Sequence, residues 1–338
     1  MGKITYLIKS AAKMDYARLA RTIRHAAKAS HKPSVYIAFD MLRCASKYLA
    51  APADYNLFEF YNLTPHQRAS YVTRGINNRL VKKYNDRSKW HIFDDKSEFN
   101  TVFAKYVGRE WIRLDKSSFD EFSAFIAGRE TFFYKPLDLS CGKGIEKIAV
   151  SEIADMRELY ERLKSYGAGL CEEAIVQHET MSGMFSGSVN TIRLVTMNDG
   201  SPRGEVGDVE IVFAFLRVGN GHAVDNLNSG GMAAPIDIAT GIVTHPGADK
   251  DYKAYERHPA TGTAFVGFAI PRFEEAKALV REAAAVVPSV GYIGWDVAVT
   301  RDGLCLVEAN SYPGHDILQL PPHVPERIGL MGRVERYL

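Results

Sequence analysis

Two acidic residues towards the C-terminal end lie on neighbouring apolar runs that a short turn separates. Asp296 belongs to GWDVAVT and Glu308 to LCLVEAN. A three-residue loop with Gly303 in the left-handed conformation would pair Asp296 with Glu308 and place Asn310 on the same face. Like charges that face each other on a sheet are destabilising, so the pair needs a shared proton or a cation. Two carboxylates and an amide oxygen suit Mg²⁺, and we therefore predict that Asp296, Glu308 and Asn310 bind this ion.

The length of the hairpin loop decides this pairing. With three loop residues, Ala298 pairs with Leu306, and Leu306 shares the acidic face, where an adenine ring could cover it. Ordinary core packing against another sheet explains Leu306 equally well. A two-residue loop is the alternative for the acids, because a shift by one step would separate Asp296 and Glu308 onto opposite faces.

A second phosphate-binding element is predicted in the segment FFYKPLDLSCGKGIEKIAV. One strand ends at Lys135, a loop holds Gly142, Lys143 and Gly144, and another strand follows. Backbone amides of such a loop can wrap phosphate oxygens. The loop is not a Walker A motif, because Lys143 is followed by glycine where Ser or Thr is required. The chain also has no G-x-G-x-x-G before a helix, so a Rossmann site is not supported.

The elements that must position these residues change in type along the chain. Residues 12–30 and 39–50 carry Ala, Leu and Met with interspersed charge and no internal Gly or Pro, which predicts helices. From about residue 131, β-branched and aromatic runs separated by glycine predict antiparallel strands. Residues 272–287 follow Pro271 and repeat apolar side chains at helical spacing. The expected fold class is therefore α+β, with a mostly helical first third.

Composition and charge narrow the class of protein. The chain has 338 residues, of which 46% are hydrophobic and 24% charged, as in ordinary globular domains. It shows neither a long apolar run nor a signal peptide, so we expect a cytoplasmic protein. The four cysteines lack C-x-x-C spacing, which argues against a zinc site or a disulfide framework and predicts core positions.

The basic residues are concentrated at the front of the chain. Residues 1–90 contain 17 Lys and Arg against 5 Asp and Glu. This region is either a solvated helical face or a surface for an anionic partner, such as a membrane or a phosphorylated lipid carrier. No aromatic RNA-binding motif accompanies the basic residues, so a nucleic-acid partner is not expected. Peripheral membrane contact stays open.

Several motifs occur in an order that resembles the ATP-grasp superfamily. They are Lys96 in DDKSEFN, Lys135 in YKP, the glycine loop, the strand end CEEAIV, and the closing Asp296 with Glu308-Ala-Asn310. More narrowly, the chain is similar to the sugar-transfer-associated ATP-grasp group over roughly residues 40–320. The segments that carry this similarity are DYNLFEFYNLT, YVTR, QHETMSGMFSGSVNTIRLVT, VDNLNSGGMAAPID and GWDVAVT with LVEAN.

The resemblance implies an ATP-grasp fold, that is, two α+β lobes with mainly antiparallel sheets. We expect a helical basic region over residues 1–90, a lobe with the lysines and the glycine-rich lid over 91–175, and a lobe with the metal-binding hairpin over 176–338. Most members of the superfamily begin with a strand-helix-strand domain that helps to bind the acceptor substrate. The helical front of this chain departs from that pattern, so the substrate cannot be inferred from the better-known ligases.

The resemblance also implies roles for cationic residues. Lys96 and Lys135 match the two lysines that contact nucleotide phosphates, with an ordinary surface position as the alternative. Arg193 lies in NTIRLVT, where Ile192 and Leu194 face the other way, so its guanidinium can point into the cleft. It matches an arginine near the transferred phosphate or the substrate carboxylate, whose oxygens suit its planar donors. A structural salt bridge is the alternative for Arg193.

The remaining implied contacts concern the nucleoside and the substrate. The segment from Glu172 through Glu173 to Ile175 matches the hinge whose backbone reads the adenine edge, with an acidic side chain that reaches the amino group or the ribose. His178 or Glu179 would contact the ribose, since ordinary ATP-grasp spacing favours Glu179 and the motif of the narrower group features His178; a surface role is the equal alternative. The polar loop around Asn228, Ser229, Gly230 and Gly231 matches a segment that closes on the substrate or the terminal phosphate, although a simple turn explains its glycines equally well.

The resemblance implies ATP and Mg²⁺ as cofactors and an ADP-forming carboxylate-amine ligase as the activity. A carboxylate would attack the γ-phosphate, an amine would attack the resulting acylphosphate, and phosphate would leave. The small-molecule substrates would be carboxylates and amines, some of them sugar-linked, in polysaccharide or sugar-conjugate biosynthesis. The alternatives are an ATP-grasp kinase that phosphorylates a hydroxyl and a non-catalytic nucleotide-binding adapter. Phosphate release distinguishes the ligase from the kinase.

Overall fold

The computed structural model describes residues 15–137, 144–221 and 230–338. The chain forms two compact units. The first comprises the described residues up to Lys83 together with Gly314–Leu338, and the second comprises Tyr84–Pro313. Among the described helices, none combines the length and the apolar character that crossing a bilayer requires. The cysteines that the structure describes, Cys44, Cys171 and Cys305, are buried, as expected, and are not joined in disulfides, whereas Cys141 lies outside the described residues.

The described part of the first unit is helical, as predicted for the basic front of the chain. Its helices are α1 (Tyr16–Ser30), α2 (Ser34–Tyr48), α3 (Pro52–Leu57), α4 (Pro65–Ala69) and α5 (Arg74–Tyr84), with 3-10 turns at Phe60–Asn62, Ile317–Gln319, Pro321–His323, Met331–Arg333 and Glu335–Tyr337. α2 begins earlier than predicted, because Pro33 precedes its first turn and the β-branched Val35 and Ile37 are tolerated in the helix.

The second unit contains a four-stranded antiparallel sheet in the order β1-β4-β2-β3. Its strands are β1 (Trp111–Arg113), β2 (Thr131–Pro136), β3 (Glu146–Ala149) and β4 (Gly169–Glu173). The helices before and around this sheet are α6 (His91–Asp94), α7 (Lys96–Val102), α8 (Ala104–Val107), α9 (Phe119–Ile126) and α10 (Met156–Ser165), with 3-10 turns at Arg87–Lys89, Leu114–Lys116 and Val150–Glu152. Phe122 of α9 and Leu163 of α10 pack with Phe132 of β2 in the hydrophobic core of this lobe.

The start of α9 gives a test of local stability. The Ser118 hydroxyl accepts a hydrogen bond from the Glu121 backbone N–H at 3.2 Å, and the Glu121 carboxylate accepts one from the Ser118 N–H at 2.7 Å. We expect Ser118→Ala to lower the free energy of unfolding by about 1 kcal/mol, because it removes one capping bond. Urea unfolding measures the change. Ser118→Thr keeps the hydroxyl and is the control, and equal loss in both variants would contradict the capping role.

The second unit also contains a seven-stranded antiparallel sheet in the order β11-β10-β5-β6-β7-β8-β9. Its strands are β5 (Thr191–Asn198), β6 (Val209–Val218), β7 (Met232–Pro235), β8 (Gly247–Ala248), β9 (Ala254–Tyr255), β10 (Tyr292–Val299) and β11 (Leu304–Asn310). Helices α11 (Glu179–Met184) and α12 (Phe273–Ala284) accompany it, with a 3-10 turn at Ser201–Arg203. α12 buries Ala276, Val280 and Ala283 in the core of the sheet, which confirms the predicted helix. The predicted α+β class with antiparallel sheets is confirmed.

The β10–β11 hairpin pairs Asp296 with Glu308, as predicted, but by a different route. The Thr300 N–H donates to the Gly303 carbonyl at 2.9 Å, so the loop has two residues, and Gly303 does not have the predicted left-handed conformation. A regular ladder from this loop would pair Asp296 with the residue before Glu308. A bulge on β11 leaves Val307 as the extra residue and restores the pairing.

Candidate active site

Asp296 lies at the centre of a charged cluster on the large sheet. Nε and Nη2 of Arg193 on β5 donate to its two carboxylate oxygens, Nη2 at 2.7 Å. Nη1 of Arg217 on β6 donates to Oδ2. Burial alone would raise the pKa of Asp296, but the charges of Arg193 and Arg217 outweigh it and hold the pKa below its usual range. Asp296 is therefore ionised and held in one orientation.

Glu308 is the open member of the acidic pair. Its side chain is 52% exposed, against 2% for Asp296. Desolvation by the surrounding protein, followed by the charge of Asp296, raises the pKa of Glu308. The exposed fraction and the raised pKa agree because one side of the carboxylate meets solvent while the other side faces a buried charge. Glu308 therefore holds its proton more tightly than an ordinary glutamate, because its ionised form would face the negative charge of Asp296.

The donor set around the hairpin fits a magnesium ion. Each oxygen of a carboxylate can accept about two hydrogen bonds. Arginine nitrogens donate one to Oδ1 of Asp296 and two to Oδ2, so Oδ1 has one acceptor position left for a metal ion. Asn310 lies opposite Gly294 and is half-buried. The atoms that Asp296, Glu308 and Asn310 would offer to a metal ion are two carboxylates and an amide oxygen, and magnesium prefers such hard oxygen ligands. Over the described ranges, no group of three or more His, Cys, Asp and Glu residues is arranged to hold a metal ion. The predicted magnesium site is not such a group, because its third member is the amide of Asn310.

A second charged cluster brings the two predicted lysines together. Nζ of Lys135 donates to Oε2 of Glu172 at 2.6 Å, and Nζ of Lys96 donates to the carbonyl of Pro136 at 2.9 Å. Burial lowers the pKa of Lys96, the charge of Glu308 opposes that shift, and the charge of Lys135 adds to it. Lys96 is thus within electrostatic reach of both Lys135 and Glu308. The two lysines are therefore neighbours, and Lys96 also lies near Glu308 of the hairpin.

The carboxylate of Glu172 is enclosed by cationic and amide donors. Besides Lys135, it accepts hydrogen bonds from Nε of Arg109 at 3.1 Å and from Nδ2 of Asn100 at 3.0 Å. Burial alone would raise the pKa of Glu172, but the charges of Arg109 and Lys135 hold it below its usual range. The prediction that an acidic hinge side chain reaches the adenine or the ribose is wrong for Glu172, because this carboxylate neutralises buried cations.

The chain leaves β4 after Glu173 and runs past Ile175 towards α11. Both residues are half-buried at this point. His178 caps α11, because its Nδ1 accepts a hydrogen bond from the Thr180 N–H at 3.1 Å, whereas Glu179 in the first turn is exposed. The cap gives His178 a structural role, and the geometry favours Glu179 over His178 for the predicted ribose contact. The nucleotide contacts of this segment stay predictions.

Three predicted site residues, Gly142, Lys143 and Ser229, lie outside the described residues. Gly144 and Gly230 stand at the borders of those gaps and are described. Their φ angles are +70° and +91°, which favour glycine because a Cβ would be strained there. The predicted lid and substrate-loop roles of these residues stay predictions.

Leu306 is the predicted site residue that the structure places elsewhere. The two-residue loop pairs it with Val297 and not with Ala298, which turns its side chain into the core with Ile192. The predicted adenine contact from the acidic face is therefore wrong. The backbone at this point has another partner, because Nη1 of Arg109 donates to the Leu306 carbonyl at 2.6 Å and Nη2 to the neighbouring carbonyl at 3.3 Å.

Sequence reasoning missed two arginines and an asparagine of the site. Arg217 could have been found, because it interrupts the apolar run of β6 just as Arg193 interrupts that of β5. Arg109 and Asn100 carry no comparable signal, because neither belongs to a periodic pattern or a motif. For Arg193, the structure shows the salt bridge that was the alternative to a contact with the substrate.

The chain is similar to one protein family and to several solved structures. The family model for sugar-transfer associated ATP-grasp matches residues 75–336. No curated protein sequence gives a significant match. Among the similar solved structures is the ATP-grasp ligase PsnB complexed with minimal precursor, which is 14% identical with a TM-score of 0.43 over 84% of this chain and 76% of that chain. D-alanine–D-alanine ligase from Bacillus anthracis is 12% identical with a TM-score of 0.43 over 77% of this chain and 72% of that chain. The ADP complex of purK, N5-carboxyaminoimidazole ribonucleotide synthetase, is 11% identical with a TM-score of 0.42 over 66% of this chain and 46% of that chain.

The family match covers the whole second unit, the last residues of the first unit's N-terminal segment and nearly all of its C-terminal segment. It includes both charged clusters and the hairpin that joins Asp296 to Glu308. The predicted superfamily and the narrower group are both confirmed by this match. The chain belongs to the sugar-transfer associated ATP-grasp family.

Proposed function

We propose that this protein is an ADP-forming carboxylate-amine ligase that uses magnesium-ATP. The observation that carries the proposal is that Arg109 binds both the Glu172 carboxylate, which holds Lys135, and the backbone of β11 beside Glu308, while Lys96 lies near both Lys135 and Glu308. Acidic oxygens beside fixed cations suit a nucleotide whose phosphates bind a metal ion on one side and ammonium groups on the other. Membership of the ATP-grasp family supports the same conclusion.

Asp296, Glu308 and Asn310 would hold magnesium in this proposal. The bound ion would neutralise charge on the phosphate oxygens during transfer. With both acids ionised, their two negative charges balance the two positive charges of Arg193 and Arg217, which leaves the cluster near neutrality. This balance favours binding of the ion together with the nucleotide, because the phosphates add the negative charge that the protein cluster lacks.

The cationic residues have separate tasks in the proposed site. Lys96 and Lys135 position the phosphates, and Glu172 holds the Lys135 ammonium in place at 2.6 Å. Arg193 and Arg217 orient Asp296, and their planar donor groups can also receive the oxygens of the γ-phosphate or the acyl substrate. The backbone from Glu173 to Ile175 would read the adenine edge.

The reaction balances without a side-chain nucleophile. A substrate carboxylate oxygen attacks the γ-phosphorus, the bond from this phosphorus to the bridging oxygen breaks, and ADP leaves. The nitrogen of an amine then attacks the acyl carbon of the acylphosphate, the carbon–oxygen bond breaks, phosphate leaves, and the nitrogen loses a proton. The two steps replace one difficult condensation. Fixed positive charge near the phosphates stabilises the charge that develops during transfer.

We propose sugar-linked carboxylates or amines as the substrate class, in polysaccharide or sugar-conjugate biosynthesis. The family description, sugar-transfer associated, supports this choice. An amide between a uronic acid and an amino group is a concrete product of such a reaction. The helical basic front of the chain departs from the acceptor-binding domain of other ATP-grasp ligases, so the substrate must be determined by experiment.

The test incubates the full-length protein with magnesium-ATP and pooled amino acids and uronic acids, and measures ADP and free phosphate separately. A ligase gives equal amounts of both, and hydroxylamine added in place of the amine yields a hydroxamate from the acylphosphate. ADP without free phosphate, together with a phosphorylated product, would establish a kinase and overturn the ligase proposal. ADP release only with unrelated peptides would overturn the proposed substrate class.

A further inference from the structure

An exposed apolar stripe runs along α2 in the first unit. Val35, Phe39 and Leu42 are 83%, 72% and 71% exposed. Their spacing of four and three residues puts them on one face of the helix. The opposite face carries the contacts of the core, through residues such as Ile37 and Cys44. Within the described part of the chain, the stripe therefore makes no contribution to the core and is open to another surface.

Basic side chains are abundant on α2, which carries the stripe, and on the neighbouring helix α1. Residues 15–48 contain seven Lys and Arg against two acids. One of the acids, Asp40, is buried in a bidentate ion pair with Arg68 at 2.8 Å and adds nothing to the surface charge. The exposed basic residues are Arg18, Arg21, Arg24 and Lys28 on α1, and Arg43 and Lys47 on α2. The pair of helices α1 and α2 thus exposes both an apolar stripe and six cationic side chains.

We infer that α1 and α2 dock on the surface of an anionic lipid membrane. The stripe of Val35, Phe39 and Leu42 would enter the boundary between headgroups and acyl chains, and the basic residues would face anionic headgroups. Charge complementarity selects this occupant. A second copy of the chain would present the same positive charge and be repelled, and a nucleic acid would leave the apolar stripe exposed to water.

This inference is independent of the proposed ligase activity. The family match begins at residue 75, so α1 and α2 lie outside it, and none of the site residues belongs to these helices. A protein that binds membranes can lack ligase activity, and a ligase can fail to bind membranes. The two experiments therefore fail separately.

The test measures co-sedimentation of the full-length protein with vesicles of phosphatidylcholine alone and of phosphatidylcholine mixed with phosphatidylglycerol. We expect binding only to the mixed vesicles, with a decrease at high salt, because screening shortens the range of the charges. The triple change Val35→Ser, Phe39→Ser and Leu42→Ser should lower the partition coefficient at least about tenfold. Arg21→Gln, Arg24→Gln and Lys28→Gln should lower it about fivefold for each charge removed.

Val266 is 49% exposed in the second unit and provides the matched control, because Val266→Ser removes an exposed valine without changing the stripe. We expect its binding to equal that of the wild type. Three results would overturn the inference: no binding to mixed vesicles, equal binding to neutral vesicles, or unchanged binding of the triple serine variant. A dimer in light scattering that the triple serine variant abolishes, without vesicle binding, would assign the stripe to a second copy of the chain.

Discussion

Replacing Glu308 with Gln is expected to lower the rate of ATP turnover by at least about 10³-fold. The proposed metal site would lose one of its two carboxylates, and with it the charge that holds the ion beside the phosphates. The fold should be unaffected, because the Glu308 side chain is half exposed and its Oε1 lies 3.8 Å from the nearest arginine nitrogens. The measurement is ADP release with the substrates that the pooled screen identifies.

Asp302 provides the matched control on the same hairpin. It lies exposed in the two-residue loop, where its nearest ion-pair contact is 3.5 Å long. Asp302→Asn removes one negative charge without touching the acidic pair, so it should keep wild-type turnover. Full ADP formation by the Glu308→Gln variant, with an unchanged melting temperature in both variants, would contradict the assignment of Glu308 to the metal.

Glu172→Gln is expected to lower the free energy of unfolding by about 3–5 kcal/mol at neutral pH. The carboxylate neutralises Arg109, whose side chain is almost fully buried, and Lys135. Glutamine retains the shape but leaves these two cations without their negative partner. Denaturant unfolding followed by circular dichroism measures the loss. Glu173→Gln on the same strand is the control and should change stability by less than about 1 kcal/mol, since Glu173 is half-buried and faces no buried cation that the structure describes.

The sign of the pH dependence follows from the lowered pKa of Glu172. A carboxyl whose pKa is lower in the folded than in the unfolded state stabilises the fold above its unfolded pKa, which is about 4.3 for glutamate. This contribution is lost as the pH falls from there towards the folded pKa. The difference in stability between the wild type and Glu172→Gln should therefore be largest at neutral pH and shrink below about pH 4. A difference that grows in acid would contradict the ion-pair assignment.

The hairpin shows how far sequence patterns reach. The predicted pairing of Asp296 with Glu308 is present, although the three-residue loop on which the prediction rested is not. The loop was not predictable, because the sequence Arg301-Asp302-Gly303 is compatible with two or three loop residues. The error concerns Leu306, because the two-residue loop gives it Val297 as its partner, and the bulge that then restores the pairing of the acids leaves no local signal in an apolar strand.

The charged partners of the site were harder to predict than its acids. A strand pattern shows which residues share a face, but it does not show which side chains of distant segments approach each other. Arg109 and Glu172 are 63 residues apart and form an ion pair only because the short connection after α8 lies beside β4. The helical and strand segments, by contrast, depend on local periodicity, which the sequence displays directly.

The bulge at Val307 also determines how the two charged clusters are tied together. A bulge diverts backbone carbonyls from the ladder, and Arg109 binds those of Leu306 and Val307 while it holds Glu172. Because the acceptors are main-chain carbonyls, replacing the side chain of Val307 leaves the hydrogen bonds from Arg109 intact. Position 307 should thus tolerate many substitutions, whereas Arg109, which donates to its carbonyl, should tolerate few.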